Sequence, residues 1–260
     1  YNYSDYGNYK DGDNREIPSS FRSQDYHLKI GLKTTNKSRY EIGFQQQFGR
    51  DIKHASLPMD TSYDDTSIGY FIGKTMFENS SLQEIQSRVY GSFVKHQMHN
   101  LNRPNAKMME MISDVESKTL GAKIEAIWKM NDVQLFTGFD GYLLNRDGYR
   151  NGKTIRQNGV LLPTPIYNRA SIWQDTDQTN FGGFVQGSWK INRAHKIEFG
   201  ARLDRNELKI NQPSSAFSNL YSDLNPIDWN WSATAQYEYT FNPLNKIKFL
   251  VGRGVRSGDM

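Results

Sequence analysis

The chain has 260 residues, a formal net charge of +4 and no cysteine, which excludes a disulfide framework or a thiolate metal site within it. Its mean hydropathy is −0.75. No apolar run approaches the roughly 18 residues of a transmembrane helix. Lysine and arginine are scattered along the sequence, so no nucleic-acid-binding patch is indicated.

Alternation of apolar and polar residues predicts an all-β, antiparallel fold. The predicted strands, in chain order, lie near residues 26–34, 38–49, 66–77, 83–98, 117–130, 133–146, 178–191, 195–210, 228–241 and 245–256. The strand at 228–241 shows the pattern best, because its apolar positions are Trp229, Trp231, Ala233, Ala235, Tyr237, Tyr239 and Phe241. It exceeds the five or six residues usual in soluble strands and reaches the roughly nine to eleven that cross a bilayer.

The predicted strands are joined by connections of alternating length. Short turns are expected at 36–37, 78–80, 131–132, 192–194 and 242–244, which are rich in turn-forming residues. Long loops are expected near 50–65, 99–116, 147–177 and 211–227. Short turns at one rim and long loops at the other are typical of outer-membrane β-barrels, whose polar residues face the lumen and whose apolar residues face lipid.

A soluble β-sandwich or a lipocalin-like barrel would also contain alternating strands. Those folds use shorter strands that recur about every 8–12 residues. The hairpins of this chain repeat at much longer intervals. The pattern therefore favours an antiparallel transmembrane β-barrel.

Three segments resemble strands of a known family. They are 179–187 (Thr-Asn-Phe-Gly-Gly-Phe-Val-Gln-Gly), 197–204 (Ile-Glu-Phe-Gly-Ala-Arg-Leu-Asp) and 251–256 (Val-Gly-Arg-Gly-Val-Arg). In order and spacing they resemble successive strands of the TonB-dependent outer-membrane receptors. The resemblance implies a barrel of about 22 strands occluded by a plug domain. Residues 1–260 are then expected to be an internal fragment of about ten strands, with the plug and the TonB-contacting segment upstream.

His96 and Met98 are the sharpest local signal for chemistry. They are two positions apart on the strand at 83–98, so their side chains lie on one face, about 7 Å apart along the strand. Imidazole and thioether can converge there on one ion, and thioether sulfur is a soft donor suited to Cu(I). On spacing alone, a chance His-x-Met triplet remains an open alternative.

The stretch 90–100, with Pro58, Met59 and Asp60 one hairpin earlier, resembles the copper-uptake branch of this family. In that branch a His-x-Met pair of the barrel shares the metal with a cysteine and a methionine of the plug. The resemblance implies that His96 and Met98 are the barrel half of such a site. Copper would then be the transported ligand, and no catalytic cofactor is expected.

Further soft donors, Met108, Met109 and Met111, follow in the predicted loop at 99–116, with His99 just before them. Loops are usually polar, so these methionines suggest a weak secondary site that captures metal and feeds the lumen. Packing of the methionines over the barrel mouth would explain them equally well. Met59 is a further candidate for the same entrance.

A receptor for a siderophore, haem or a cobalamin-type chelate is the alternative with the same fold. It would bind its ligand through aromatic and arginine residues of the loops, here Tyr149, Arg150, Tyr167, Arg169 and Trp173. A passive porin would need no soft-metal donors. In either receptor the expected partners are outer-membrane lipid, the TonB complex and a metal or metal chelate.

A ten-stranded hydrolase at the cell surface is the enzyme alternative. Its acid-base groups could be Asp64, Asp65, Asp147 and His54. No nucleophile with a spaced base partner accompanies them, so no enzymatic activity is expected. His54 is otherwise expected to be solvated in its loop.

Overall fold

The computed structural model describes residues 1–255, and most of these residues form β-strands. The strands are β1 (Asn2–Tyr6), β2 (Tyr9–Lys10), β3 (Glu16–Ile17), β4 (Phe21–Lys33), β5 (Ser38–Ile52), β6 (Asp60–Met76), β7 (Leu82–His99), β8 (Met109–Met130), β9 (Val133–Gln157), β10 (Val160–Ser171), β11 (Thr176–Lys190), β12 (His195–Ile210), β13 (Ile227–Asn242) and β14 (Asn245–Arg253). A 3-10 helix (Pro104–Lys107) and helix α1 (Ser215–Leu220) lie in two connections. Neither of these helices within residues 1–255 is long and apolar enough to cross a membrane.

The long strands form one antiparallel meander, in the order β1-β4-β5-β6-β7-β8-β9-β11-β12-β13-β14. Strand β10 pairs with the far part of β9, and β2 and β3 form a separate two-stranded sheet. Over the described residues β1 and β14 are not paired with each other, so the sheet is open.

The predicted all-β antiparallel fold is confirmed, with the ten predicted strands present as β4–β9 and β11–β14. Residue 256, the predicted end of the last strand, lies outside the described residues. The sequence missed β1, the two-residue strands β2 and β3, and β10. Strand β10 escaped notice because Pro163 and Pro165 interrupt the alternation, and the pairing register shifts between Leu161 and Ile166.

Three of the predicted loops are wrong in extent, because strands continue through much of them. Strand β6 begins at Asp60, β8 begins at Met109 and β9 runs to Gln157. In these outer parts polar residues occupy both faces, so period-two alternation disappears although the backbone ladder continues. The connections that remain near the predicted loops are 53–59, 100–108 and 172–175, whereas 211–226 agrees with the prediction.

The two faces of the sheet differ in chemistry. One, the apolar face, exposes a band of aliphatic and aromatic side chains that includes Ile30, Ile42, Phe71, Val89, Leu120, Phe139, Phe181, Leu203, Trp231 and Phe249. The other, the polar face, carries ion pairs such as that of Arg202 with Asp140. Met59 is the one hydrophobic residue within 1–255 that is buried, so this sheet encloses no conventional core.

The apolar band ends before the strands do, at the end where the longer connections lie. On the apolar face of β7 the change falls between Phe93 and Lys95. The cross-strand partners of Lys95 are Asp65 and Glu116, so the neighbouring strands are charged at the same level. Residues of the polar face at or beyond this level therefore lie outside the apolar band.

Candidate metal site

His96 and Met98 lie on the polar face, beyond the edge of the apolar band. Asp64 is the cross-strand partner of His96 on β6, and Thr61 is that of Met98. The ladder from β7 to β8 has no register shift here. The two side chains therefore point to the same side, about 7 Å apart along the strand. Metal binding by the pair stays a prediction.

Asp64 orients the His96 ring. His96 Nδ1 donates a hydrogen bond to Asp64 Oδ2 at 2.9 Å, and Thr66 Oγ1 donates to Asp64 Oδ1 at 3.2 Å. The hydrogen bond from His96 lowers the pKa of the Asp64 carboxyl below its usual value. With Nδ1 engaged, Nε2 is the ring nitrogen that can bind an ion. Metal-bound histidines usually donate their other ring N–H to a carboxylate, a backbone carbonyl or a water molecule.

Met109 and Met111 are the first residues of β8 on the polar face, although the sequence predicted a loop here. Met98 is the cross-strand partner of Ser113, so Met111 lies diagonally opposite Met98, about 7–8 Å away. Met108 lies just outside the strand and is 42% exposed. The thioethers of Met98, Met111 and Met109 thus follow one another along the polar face.

Asn100 fixes the start of this methionine row. Its side chain is fully buried. Nδ2 of Asn100 donates to the Met109 carbonyl at 2.7 Å, and Oδ1 accepts from the Met111 N–H at 2.7 Å. These bonds satisfy a polar side chain that is removed from water.

The other two predicted donors are placed less favourably. His99 lies on the opposite face from Met98, and its Nδ1 accepts a hydrogen bond from the Leu101 N–H at 3.2 Å. Met59 is 7% exposed and therefore lines no open entrance. The His99 ring thus lies on the face opposite His96.

The connections 53–59 and 100–108 are fastened to each other beside the site. Arg103 Nε donates to Asp60 Oδ2 at 3.0 Å, and Arg103 Nη2 donates to Asp60 Oδ1. Nη2 also donates to the His54 carbonyl at 2.7 Å. The side chains of Arg103 and Asp60 are only 13% and 8% exposed, so this is a nearly buried ion pair.

The ion pair of Arg103 and Asp60 also holds His54, a residue to which the sequence gave no metal-binding role. His54 Nε2 lies 3.0 Å from Thr61 Oγ1, and Thr61 is the buried cross-strand partner of Met98. His54, which the sequence predicted to be solvated in its loop, is half-buried and makes this contact. No sequence pattern could reveal the contact, because it depends on how the connection 53–59 folds back over β6.

The donors available at this site are imidazoles and thioethers. Within residues 1–255, no three His, Cys, Asp or Glu side chains are grouped so that they could hold a metal ion. Ions that prefer several oxygen ligands, such as Mg²⁺ and Ca²⁺, therefore find no ready site in this part of the chain.

The aromatic and arginine residues of the chelate-receptor alternative are divided between the two faces of the sheet. Arg169 Cζ lies 3.7 Å from the ring centroid of Tyr149, on the same side of the sheet as the apolar face. Arg150 points to the polar face, where Nε donates to Ser113 Oγ at 2.9 Å. Tyr167 is largely exposed.

Trp173, the remaining residue of that set, stacks with Arg146 at 5.6 Å beside a small cavity of about 200 Å³. Ile172, Leu208 and Phe217 also line this cavity. Trp173 therefore contacts apolar neighbours here.

The three carboxylates of the hydrolase alternative do not share one face of the sheet. Asp64 and Asp65 are consecutive and point to opposite faces, and Asp65 pairs with Arg50. Asp147 accepts a hydrogen bond from the Gly148 N–H at 2.7 Å. The arrangement therefore does not bring these three carboxylates together.

A meandering antiparallel sheet, with an exposed apolar band on one face and ion pairs on the other, defines a segment of a transmembrane β-barrel. The sequence matches the family described as TonB dependent receptor-like, beta-barrel, over residues 1–259. The chain therefore belongs to the TonB-dependent receptors, a family of outer-membrane transporters.

Solved structures of this family share the fold. The copper transporter OprC superposes with a TM-score of 0.77 at 21% identity, over 93% of this chain and 37% of that chain. The ferric yersiniabactin receptor FyuA from Yersinia pestis gives 0.60 at 9% identity, over 93% and 39%. The ferric citrate transporter FecA gives 0.60 at 10%, over 88% and 36%. This chain thus spans little more than a third of these proteins. No curated protein matches its sequence.

Proposed function

We propose that the chain is part of an outer-membrane receptor that imports copper through a plugged, TonB-coupled barrel. The observation that carries the proposal is that His96 and Met98 share the polar face beyond the apolar band, with the His96 ring oriented by Asp64. The structural likeness to a copper transporter supports the same ligand. The apolar band would contact lipid, and the polar face would line the lumen.

The chemistry of the donors suits a cargo that must be bound and then released. Thioether and imidazole are neutral ligands that favour copper over the hard divalent ions common outside cells. Two donors from the barrel leave coordination positions open for ligands from the plug, which the family resemblance implies. The row formed by Met98, Met111 and Met109 would pass ions from the outer end of the strands toward His96.

Import of an iron chelate is the second candidate, because FyuA and FecA share the fold. A chelate is bound through a broad aromatic and cationic surface. Tyr149, Tyr167 and Arg169 lie on the side of the apolar face. Arg150 points to the polar face, which would line the lumen. The separation of these residues favours the copper proposal.

The test uses the full-length receptor loaded with Cu(I) under reducing conditions and analysed for bound metal. The double variant His96→Ala/Met98→Ala is expected to retain copper only at the level of a buffer control, because both barrel ligands are removed. The matched control is His195→Ala/Met130→Ala, which removes the same residue types near the short turns. Unchanged copper content in the first variant would reject the proposal, and retention of a ferric chelate by the wild type would favour the second candidate.

A further inference from the structure

We propose that His54 is an additional copper-binding residue at the site of His96 and Met98. This inference rests on the copper function proposed above. It extends the site from two donors on one strand to three donors held by a strand and a loop.

The position of His54 is the first argument. His54 Nε2 lies 3.0 Å from Thr61 Oγ1, and Thr61 is the cross-strand partner of Met98. Directly opposed residues of an antiparallel pair have Cβ atoms about 4.5–5.5 Å apart and point to the same face. The His54 ring therefore lies against the residue beside Met98, on the face that also carries His96.

The second argument is that one ring nitrogen is free. A ring that donates through Nε2 to Thr61 Oγ1 keeps its lone pair on Nδ1. Among the hydrogen bonds of residues 1–255, none involves His54 Nδ1. In the neutral tautomer that donates to Thr61, Nδ1 is thus an unoccupied metal donor. Asp64 selects the opposite tautomer at His96 by engaging its Nδ1.

The third argument is that His54 is held in place before an ion arrives. The His54 carbonyl accepts from Arg103 Nη2 at 2.7 Å, and the His54 N–H donates to Asp60 Oδ1 at 3.4 Å. The preceding residue, Lys53, donates its N–H to the Ser20 carbonyl at 2.9 Å. A ligand whose backbone is already ordered loses less conformational entropy on binding.

Together the three residues supply two imidazoles and one thioether, a neutral set that accepts copper. Within residues 1–255 no three His, Cys, Asp or Glu side chains are grouped as a metal site, so the third donor of the proposed set is the Met98 thioether. Two imidazoles are the distinguishing signature, since His96 and Met98 alone provide only one.

The experiment compares the full-length receptor with two variants. His54→Ala removes the ring, whereas His54→Gln keeps a side chain that can donate to Thr61 Oγ1 but has no imidazole. Cu(I) affinity is measured by competition with a chromogenic chelator, and bound imidazoles are counted by X-ray absorption spectroscopy. His195→Ala is the matched control, because His195 stacks on Tyr239 at 4.9 Å near the short turns.

The wild type and His195→Ala are expected to show two imidazoles, and both His54 variants only one. The affinity of the His54 variants should fall by roughly 10- to 100-fold, as when a supporting group of a metal site is lost. One imidazole in the wild type, or unchanged affinity and count in both variants, would overturn the inference. If His96→Ala/Met98→Ala lost copper while the His54 variants did not, only this inference would fail. Full copper binding by that double variant would instead reject the proposed function.

Discussion

Replacing Arg103 by methionine is expected to release the two connections that flank the metal site. Arg103 makes three hydrogen bonds, two to Asp60 and one to the His54 carbonyl. Methionine has a similar length and no donor, so the Asp60 carboxylate would be left nearly buried without its counter-charge.

The size of the effect follows from the burial of the pair. Removing one partner of a buried ion pair costs about 3–5 kcal/mol. Because the two side chains are still 13% and 8% exposed, we expect the lower end of that range. About 3 kcal/mol corresponds to a change on the order of a hundredfold in a local opening equilibrium, at 1.4 kcal/mol for each factor of ten.

Hydrogen exchange of the full-length receptor in detergent, followed by mass spectrometry, measures that equilibrium. Exchange is expected to accelerate in peptides covering 53–59 and 100–108 and to stay unchanged near the short turns. The matched control is Arg22→Met. Its ion pair with Asp51 has side chains that are 52% and 66% exposed. A surface pair contributes only about 0–1 kcal/mol.

The double variant Asp60→Asn/Arg103→Met separates charge from packing. It removes the uncompensated carboxylate, so exchange in both connections should be slower than in Arg103→Met alone. Equal exchange in Arg103→Met and the wild type would refute the idea that this pair fastens the connections. Equal exchange in the single and double variants would refute the role of charge.

Two further predictions concern the sheet itself. Gly141→Ala should lower the folded fraction in the outer membrane, because its new Cβ would lie 2.5 Å from the Phe181 ring. Overpacking of this kind costs about 1–3 kcal/mol. The control Gly69→Ala should be neutral, because its Cβ would meet nothing within 4 Å. Equal yields of heat-modifiable barrel would contradict this. Arg202→Met should lower the free energy of unfolding by about 1–3 kcal/mol, because Asp140 loses a charge-assisted hydrogen-bonded partner. This loss would appear as a lower urea midpoint. An unchanged midpoint would show that water replaces the guanidinium at no cost.

The strands within the apolar band could be predicted from the sequence because one physical constraint acts on every second residue. Ile197, Phe199 and Leu203 alternate with charged residues, and the structure places β12 at the predicted bounds of 195–210. Beyond the band that constraint ends. The segment 147–157 is part of β9, although its sequence, Asp-Gly-Tyr-Arg-Asn-Gly-Lys-Thr-Ile-Arg-Gln, shows no two-sided pattern.

In the candidate site, too, one part could be predicted from the sequence and another could not. His96 and Met98 were predicted to share a face because strand geometry alone decides it. The position of His54 depends on the Asp60–Arg103 pair, whose partners are 43 residues apart in the sequence. Such a contact forms only when two connections meet in the folded sheet, and no local spacing encodes it.

In the proposed receptor, selectivity for a soft ion would follow from the role of the Asp64 carboxylate. Both oxygens of the Asp64 carboxylate accept hydrogen bonds, Oδ2 from His96 and Oδ1 from Thr66. An oxygen-seeking cation would find only this single carboxylate, whereas Ca²⁺ takes 6–8 oxygen ligands. A soft ion needs no rearrangement of Asp64, because it binds the imidazole and thioether that Asp64 holds in position. In the proposed receptor, Asp64 thus orients His96, and as a single carboxylate it supplies too few oxygen ligands for a hard ion.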